Sequence, residues 1–151
     1  MNDDRIEKST VLRAPRSEVW HAISDSAEFG KWFGIELNGE FVPGARLEGR
    51  ITHPGYEHLR ARIDVERVQP EWLLSWRWHP SATDPNKDYS KEPRTLVMFQ
   101  LSDAIGGTKL TVTESGFENI PVGRRQEAFT GNESGWTKQM ESITNHLARA
   151  A

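Results

Sequence analysis

Glu114 closes the run Leu110-Thr111-Val112-Thr113-Glu114, in which every second residue before it is apolar. Positions two apart share one face of an extended strand, so Glu114 falls on the face of Leu110 and Val112. A carboxylate on a buried face has to be paired or hydrogen-bonded. There it serves as a polar anchor for a ligand or as a general acid or base. The competing reading is a strand-end residue turned to water beside Ser115-Gly116. Glu114 is the one residue that the pattern nominates for catalysis.

The aromatic residues form the second chemical group. Trp32 and Phe33 are adjacent, Trp76 and Trp78 alternate along one strand, and Phe99 and Trp136 stand in apolar patterns. Together with Val112 and Met140 they predict a wall that grips an apolar or aromatic ligand. Taken singly, each ring reads equally as ordinary core, because aromatics dominate cores. Trp136 is the leading ligand-contact candidate, since it follows Gly135 on the helix face that must look into the sheet.

Other chemistries are excluded. With no cysteine there is no thiolate nucleophile, disulfide or Cys-ligated metal site. The five histidines, His21, His53, His58, His79 and His146, lack the helical pair spacing of a zinc motif. His53 and His58 flank a Pro-Gly turn without a third ligand, so no metal is expected. Neither phosphate-binding glycine pattern is found, nor is G-x-S-x-G, and Ser134 beside Gly135 falls in a helix rather than a nucleophile elbow. No cofactor is expected. The 19 Lys and Arg against 22 Asp and Glu give a net charge of −3, which argues against a nucleic-acid partner. No apolar run exceeds four residues, so no membrane span or signal peptide is expected. The expectation is a cytoplasmic chain.

These residues need elements to position them. Arg5 to Arg13 reads as a strand. Pro15 to Ser24 reads as a helix with Val19, Trp20 and Ile23 on one side and Pro15 at its first position. Asp25-Ser26-Ala27-Glu28 resembles a capping box and starts a second short helix carrying Phe29, Trp32 and Phe33, which Gly34 ends. From Ile35 the period becomes two. Ala45 to Thr52, Leu59 to Glu66, Leu74 to Trp78 and Leu110 to Thr113 alternate apolar and polar residues, as antiparallel strands with one wet face do. Arg50, Arg60, Arg62 and Arg77 fall on that wet face. Leu96 to Phe99 is apolar on both parities, which predicts cover on each side or a homodimer contact. His79 to Pro93 reads as a long loop, and loops of that length are usually functional or mobile.

Pro121 to Arg149 reads as a long helix whose stripe Phe129, Asn132, Trp136, Met140, Ile143 and Leu147 is mainly apolar. Gly131 and Gly135 within it suggest a kink or a close approach to something bulky. A one-faced sheet must bury its apolar side against a partner layer, and this helix is the only long apolar stripe. The prediction is an α+β domain over residues 1–151: a curved antiparallel sheet of about six or seven strands around the C-terminal helix, enclosing a cavity.

The segment Ala14-Pro15-x-x-x-Val19-Trp20-x-Ala22-Ile23-x-Asp25 with Phe29-x-x-Trp32-Phe33 resembles the opening of the helix-grip superfamily. That superfamily includes START domains, polyketide cyclases and the birch-pollen-allergen fold. Gly107 to Phe117 and Ser134-Gly135-Trp136 with Met140, Ile143 and His146-Leu147 resemble the family built on the C-terminal domain of the activator of the heat-shock-protein-ninety ATPase. The resemblance runs from about Ile6 to Leu147. It implies the helix-grip fold and three roles: binding of a small hydrophobic ligand, a co-chaperone-like interaction with that chaperone, and cyclase or hydrolase action on a polyketide-like substrate. The residues favour the first.

Overall fold

The computed structural model describes residues 5–80, 82 and 86–150. Seven strands form one sheet: β1 (Arg5–Leu12), β2 (Ile35–Asn38), β3 (Arg46–Ile51), β4 (Arg60–Gln69), β5 (Leu73–Trp78), β6 (Thr95–Ala104) and β7 (Gly107–Ser115). Their spatial order is β1-β7-β6-β5-β4-β3-β2, and every pair is antiparallel. Two short helices, α1 (Arg16–Ser24) and α2 (Ser26–Phe33), follow β1. A single 3₁₀ turn (Phe117–Asn119) leads into the long helix α3 (Val122–Ala150).

The alternating strands bury one parity. Ile6, Leu47, Ile63, Trp76, Val97, Phe99, Leu110 and Val112 are all buried toward α3, whose own stripe contributes Ala128, Trp136, Met140 and Ile143. The sheet-around-helix architecture expected from the patterning is therefore the one the chain adopts. α3 continues as one helix through Gly131 and Gly135. The expected close approach to a bulky neighbour is corrected at Gly135. A methyl group built there meets nothing within 4 Å, so this glycine faces open space rather than a bulky neighbour. Gly135→Ala should therefore raise stability by about 1 kcal/mol through helix propensity, read as a higher midpoint in urea.

Local signals set the two short helices. Pro15 is the residue before α1, not its first residue, and its carbonyl accepts from the Glu18 and Val19 N–H groups. Asp25 caps α2 by accepting from the Glu28 backbone N–H at 3.0 Å. Glu28 turns away from that box to Lys31, at 3.1 Å. Gly34 closes the helix at φ +86°, a left-handed conformation that glycine adopts without penalty. α3 then ties α2 down. The Ser142 hydroxyl donates to the Trp32 carbonyl at 2.6 Å and the Gln139 amide to the Phe33 carbonyl at 2.8 Å.

Two expectations for Leu96 to Phe99 change. β6 is an inner strand, hydrogen-bonded on both edges, so its backbone offers no edge to a second copy. Its outward residues gain cover sideways, not from a second layer. Leu96 lies between Arg77 and Ser115, and Met98 between Ser75 and Thr113; both are half-buried.

Candidate functional site

Glu114 is fully buried. On β7 it lies opposite Val97 of β6 and Ile6 of β1, so the parity argument places it correctly and the strand-end alternative does not hold. Four side chains donate to its carboxylate. Trp78 Nε1 reaches Oε2 at 2.8 Å and Thr95 Oγ1 reaches the same oxygen at 2.5 Å. Trp136 Nε1 reaches Oε1 at 2.8 Å, and Asn132 Nδ2 spans both oxygens at 2.9 and 3.0 Å. An indole N–H can only donate, so both tryptophans are oriented by this acceptor. The hub joins β5, β6, β7 and α3 through one carboxylate, in the interior where such bonds are strongest.

Above the hub lie two adjoining cavities that share Trp78 and Asn132. The larger, of about 330 Å³, is lined by Glu48, Ile51, Leu59, Arg60, Ala61, Arg62, Trp78, His79, Ala82, Tyr89 and Asn132. The smaller, of about 180 Å³, lies against Phe33, Gly135, Trp136 and Gln139. Glu114 lines neither. Its two oxygens are occupied by five hydrogen bonds, roughly the number of lone-pair sites an ionised carboxylate has. Glu114 thus holds Trp78, Asn132 and Trp136 at the cavity surface.

The predicted aromatic wall divides. Phe33, Trp78 and Trp136 line cavity surface. Trp32, Trp76 and Phe99 do not; they are buried and stack on one another and on Phe29 in edge-to-face contacts with centroids 5.1 to 6.5 Å apart. Val112 is also fully buried in this core. Met140 borders a separate surface groove with Ser9 and Thr10. The core rings still matter to the site, because Phe99 and Trp76 back Trp136 and Trp78 at 5.8 and 5.7 Å.

Sequence reasoning missed Asn132, Arg60, Arg62, His79 and Tyr89. Asn132 gave a usable signal: an amide in an otherwise apolar stripe, one turn before Trp136, needs a polar partner on the inward face, and Glu114 was already assigned there. Arg60 and Arg62 are exposed, as their parity requires, yet they border the cavity because β4 outruns β5. The pairing of those two strands begins only at Asp64 with Arg77.

Of the loop predicted over His79 to Pro93, residues 81 and 83–85 lie outside the described residues. The described part is tied to the start of α3. Arg124 is buried and donates to Glu92 at 2.9 Å and to the Pro80 carbonyl at 2.8 Å. Its guanidinium lies 4.8 Å from the centre of the Tyr89 ring. Burial acts to raise the Glu92 pKa, but hydrogen bonds from Lys87 and Arg124 and their charges outweigh it, and the carboxyl is held below its usual range. His79 Nε2 donates to the Glu92 carbonyl at 3.1 Å. Its pKa is lowered, first by burial and then by the charges of Arg94 and Arg62, against the opposing hydrogen bond and charge of Glu92.

The family described as Activator of Hsp90 ATPase homolog 1-like protein matches residues 13–148. Solved structures share the fold at low identity. A protein of Mesorhizobium loti aligns with a TM-score of 0.77 and 21% identity, over 97% of this chain and 98% of its own. The Aha1 dimer of Colwellia psychrerythraea aligns with a TM-score of 0.70 and 17% identity, over 95% of each chain. DynU16, a protein in the dynemicin biosynthetic locus, aligns with a TM-score of 0.75 and 24% identity over 97% of this chain, which spans about half of that longer chain (48%). No curated protein matches. Among the described residues no helix is long and apolar enough to cross a membrane.

Proposed function

The chain belongs to the Activator of Hsp90 ATPase homolog 1-like family, and on that premise we propose that it binds a small, largely apolar ligand between the sheet and α3. The observation that carries this reading is the buried Glu114 hub beneath the two cavities. A carboxylate and four donors are drawn together in the interior, and Trp78, Asn132 and Trp136 are held at cavity surface rather than left to pack freely. A preorganised aromatic and amide surface lowers the ordering cost of binding. The volume of about 330 Å³ sits at the lower end of small-molecule sites, so the ligand is a compact one. Trp78 and Tyr89 would contact its apolar body and Asn132 its polar edge. Glu114, the carboxylate that the sequence nominated for catalysis, lines neither cavity and has both oxygens engaged by donors, which favours binding over cyclase or hydrolase action.

Native mass spectrometry of the freshly purified protein, together with calorimetric titration of methyl naphthoate, tests the proposal. A co-purified mass lost on denaturation, or a saturable heat that Ala61→Trp abolishes by filling the cavity while the melting transition stays cooperative, is the expected result. A bare mass together with no heat would overturn it.

The solved Aha1 dimer favours self-association as a second reading. Light scattering would give twice the 17.2 kDa chain mass if it holds and the single mass if it does not. The inner position of β6 directs such contacts to the edge strands β1 and β2 or to side-chain surfaces.

A further inference from the structure

The larger cavity opens where the sheet is incomplete. β4 starts at Arg60, but its pairing with β5 starts at Asp64. Residues Arg60 to Ile63 are therefore hydrogen-bonded only to β3, through Arg50 to Leu47. On the other side the chain leaves the sheet after Trp78. The gap between this stretch of β4 and the departing loop is walled by Arg60, Ala61 and Arg62 on one side and His79 and Tyr89 on the other, with Trp78 and Asn132 deeper in.

Cations exceed anions at this mouth. Asp64 is shared by three guanidinium groups: Arg46 at 3.2 Å, Arg62 at 3.4 Å, and Arg94 in close contact. Burial would raise the Asp64 pKa, but the hydrogen bond from Arg46 and the charges of Arg62, Arg94 and Arg46 bring it below its usual value. The Arg60 side chain has no hydrogen bond or ion pair among the described residues. Glu48, opposite Arg62 across the β3–β4 ladder, is the one acid lining the cavity among the described residues. Among those residues Arg46, Arg60, Arg62 and Arg94 against Asp64 and Glu48 leave two positive charges uncompensated beside an apolar surface of Ile51, Leu59, Ala61 and Trp78.

We propose that the cavity selects an amphipathic organic acid, its carboxylate held at the sheet gap by Arg60 and Arg62 and its apolar body lying against Trp78, Ile51 and Leu59. The inference rests on the ligand-binding reading above and deepens it by naming the ligand class. The planar guanidinium fork matches a carboxylate in two parallel hydrogen bonds, which an ester cannot reproduce as an anion. Arg62 has a third of one carboxylate to give up, and Arg60 has none, so neither must break a strong pair to take the ligand.

Calorimetric titration with naphthoic acid and its methyl ester separates the two claims. The acid is expected to bind about tenfold or more tightly than the ester, as a charge-assisted hydrogen bond implies. In Arg60→Gln/Arg62→Gln the acid-to-ester ratio is expected to fall to near one. Arg60→Gln alone, exposed and outside the Asp64 cluster, should lower the ratio part of the way without touching the fold. Equal affinity of acid and ester in the parent protein would overturn the acid class while leaving the cavity reading intact. An unchanged ratio in the double variant would overturn the assignment to these arginines. Binding of neither compound, with no co-purified mass, would remove both readings together.

Discussion

Glu114→Ala should lower the stability of the protein by about 4 kcal/mol or more, the largest effect expected of any single change at the site. The side chain is fully buried, and its removal leaves the indole N–H groups of Trp78 and Trp136 and the Thr95 hydroxyl without the acceptor they share. Each buried donor left unsatisfied costs ~1–3 kcal/mol, and the vacated volume adds a cavity term. For a chain of this size that corresponds to a fall in melting temperature of roughly 10 °C. Glu114→Gln separates charge from shape. The amide keeps one oxygen and turns the other into an NH₂ group. That group is best placed toward Thr95, whose hydroxyl can reverse and accept, whereas neither indole can. Trp78 Nε1 still meets an N–H at that position, so a loss of about 2 kcal/mol is expected. Thermal denaturation of the two variants measures both. A melting temperature for Glu114→Ala within 2–3 °C of the parent would mean that the hub contributes little.

Gly49→Ala should be comparably damaging for a different reason. A Cβ built on Gly49 stands 1.8 Å from the Glu36 carbonyl oxygen and 2.7 Å from its carbon. Both are backbone atoms of β2, which pairs with β3 at this point, so no rotamer change relieves the clash. The edge strand must lift away, and with it Ile35, which is buried in the core beside α2. Overpacking against a flexible neighbour costs ~1–3 kcal/mol; against fixed backbone the expectation is about 3 kcal/mol or more. Gly44→Ala is the comparison for backbone strain without a clash: Gly44 stands at φ +84° and a methyl group there meets nothing within 4 Å, whereas Gly49 is not at positive φ. Urea midpoints of the two variants should differ clearly, with Gly49→Ala the lower. Equal midpoints would refute the close-approach argument.

The strands, the long helix and the inward direction of Glu114 were legible because each rests on a periodicity that survives burial. Period two placed Leu110, Val112 and Glu114 on one face, and the three-to-four spacing placed Phe129, Trp136, Met140 and Ile143 on another. What periodicity cannot give is depth. Trp76 and Trp78 have the same parity, yet Trp76 is fully buried and Trp78 stands at the cavity, because the sheet ends beside Trp78. Strand ends are set by pairing between distant segments, so the mouth formed by β4 outrunning β5 had no local signature. The same holds for Arg60 and Arg62, whose outward parity is correct and whose place at the cavity follows from a missing neighbour. Asn132 was readable in principle. Its amide interrupts an apolar stripe at the position that reaches Glu114, but stripe reasoning treats one polar residue as noise.

The sheet order has a consequence for synthesis. β1 pairs along its whole length with β7, Arg5 opposite Ser115 and Leu12 opposite Thr108, so the first strand made waits for a partner made about a hundred residues later. At ~5–20 residues per second, translation separates the two by roughly 5–20 s. Throughout that interval Ile6 and Leu12, both buried in the finished protein, are denied their final neighbours. α3, which fills the concave side, emerges later still. Closure of this sheet thus cannot begin until β7 has been made, so β1 spends the whole of that delay without its partner strand.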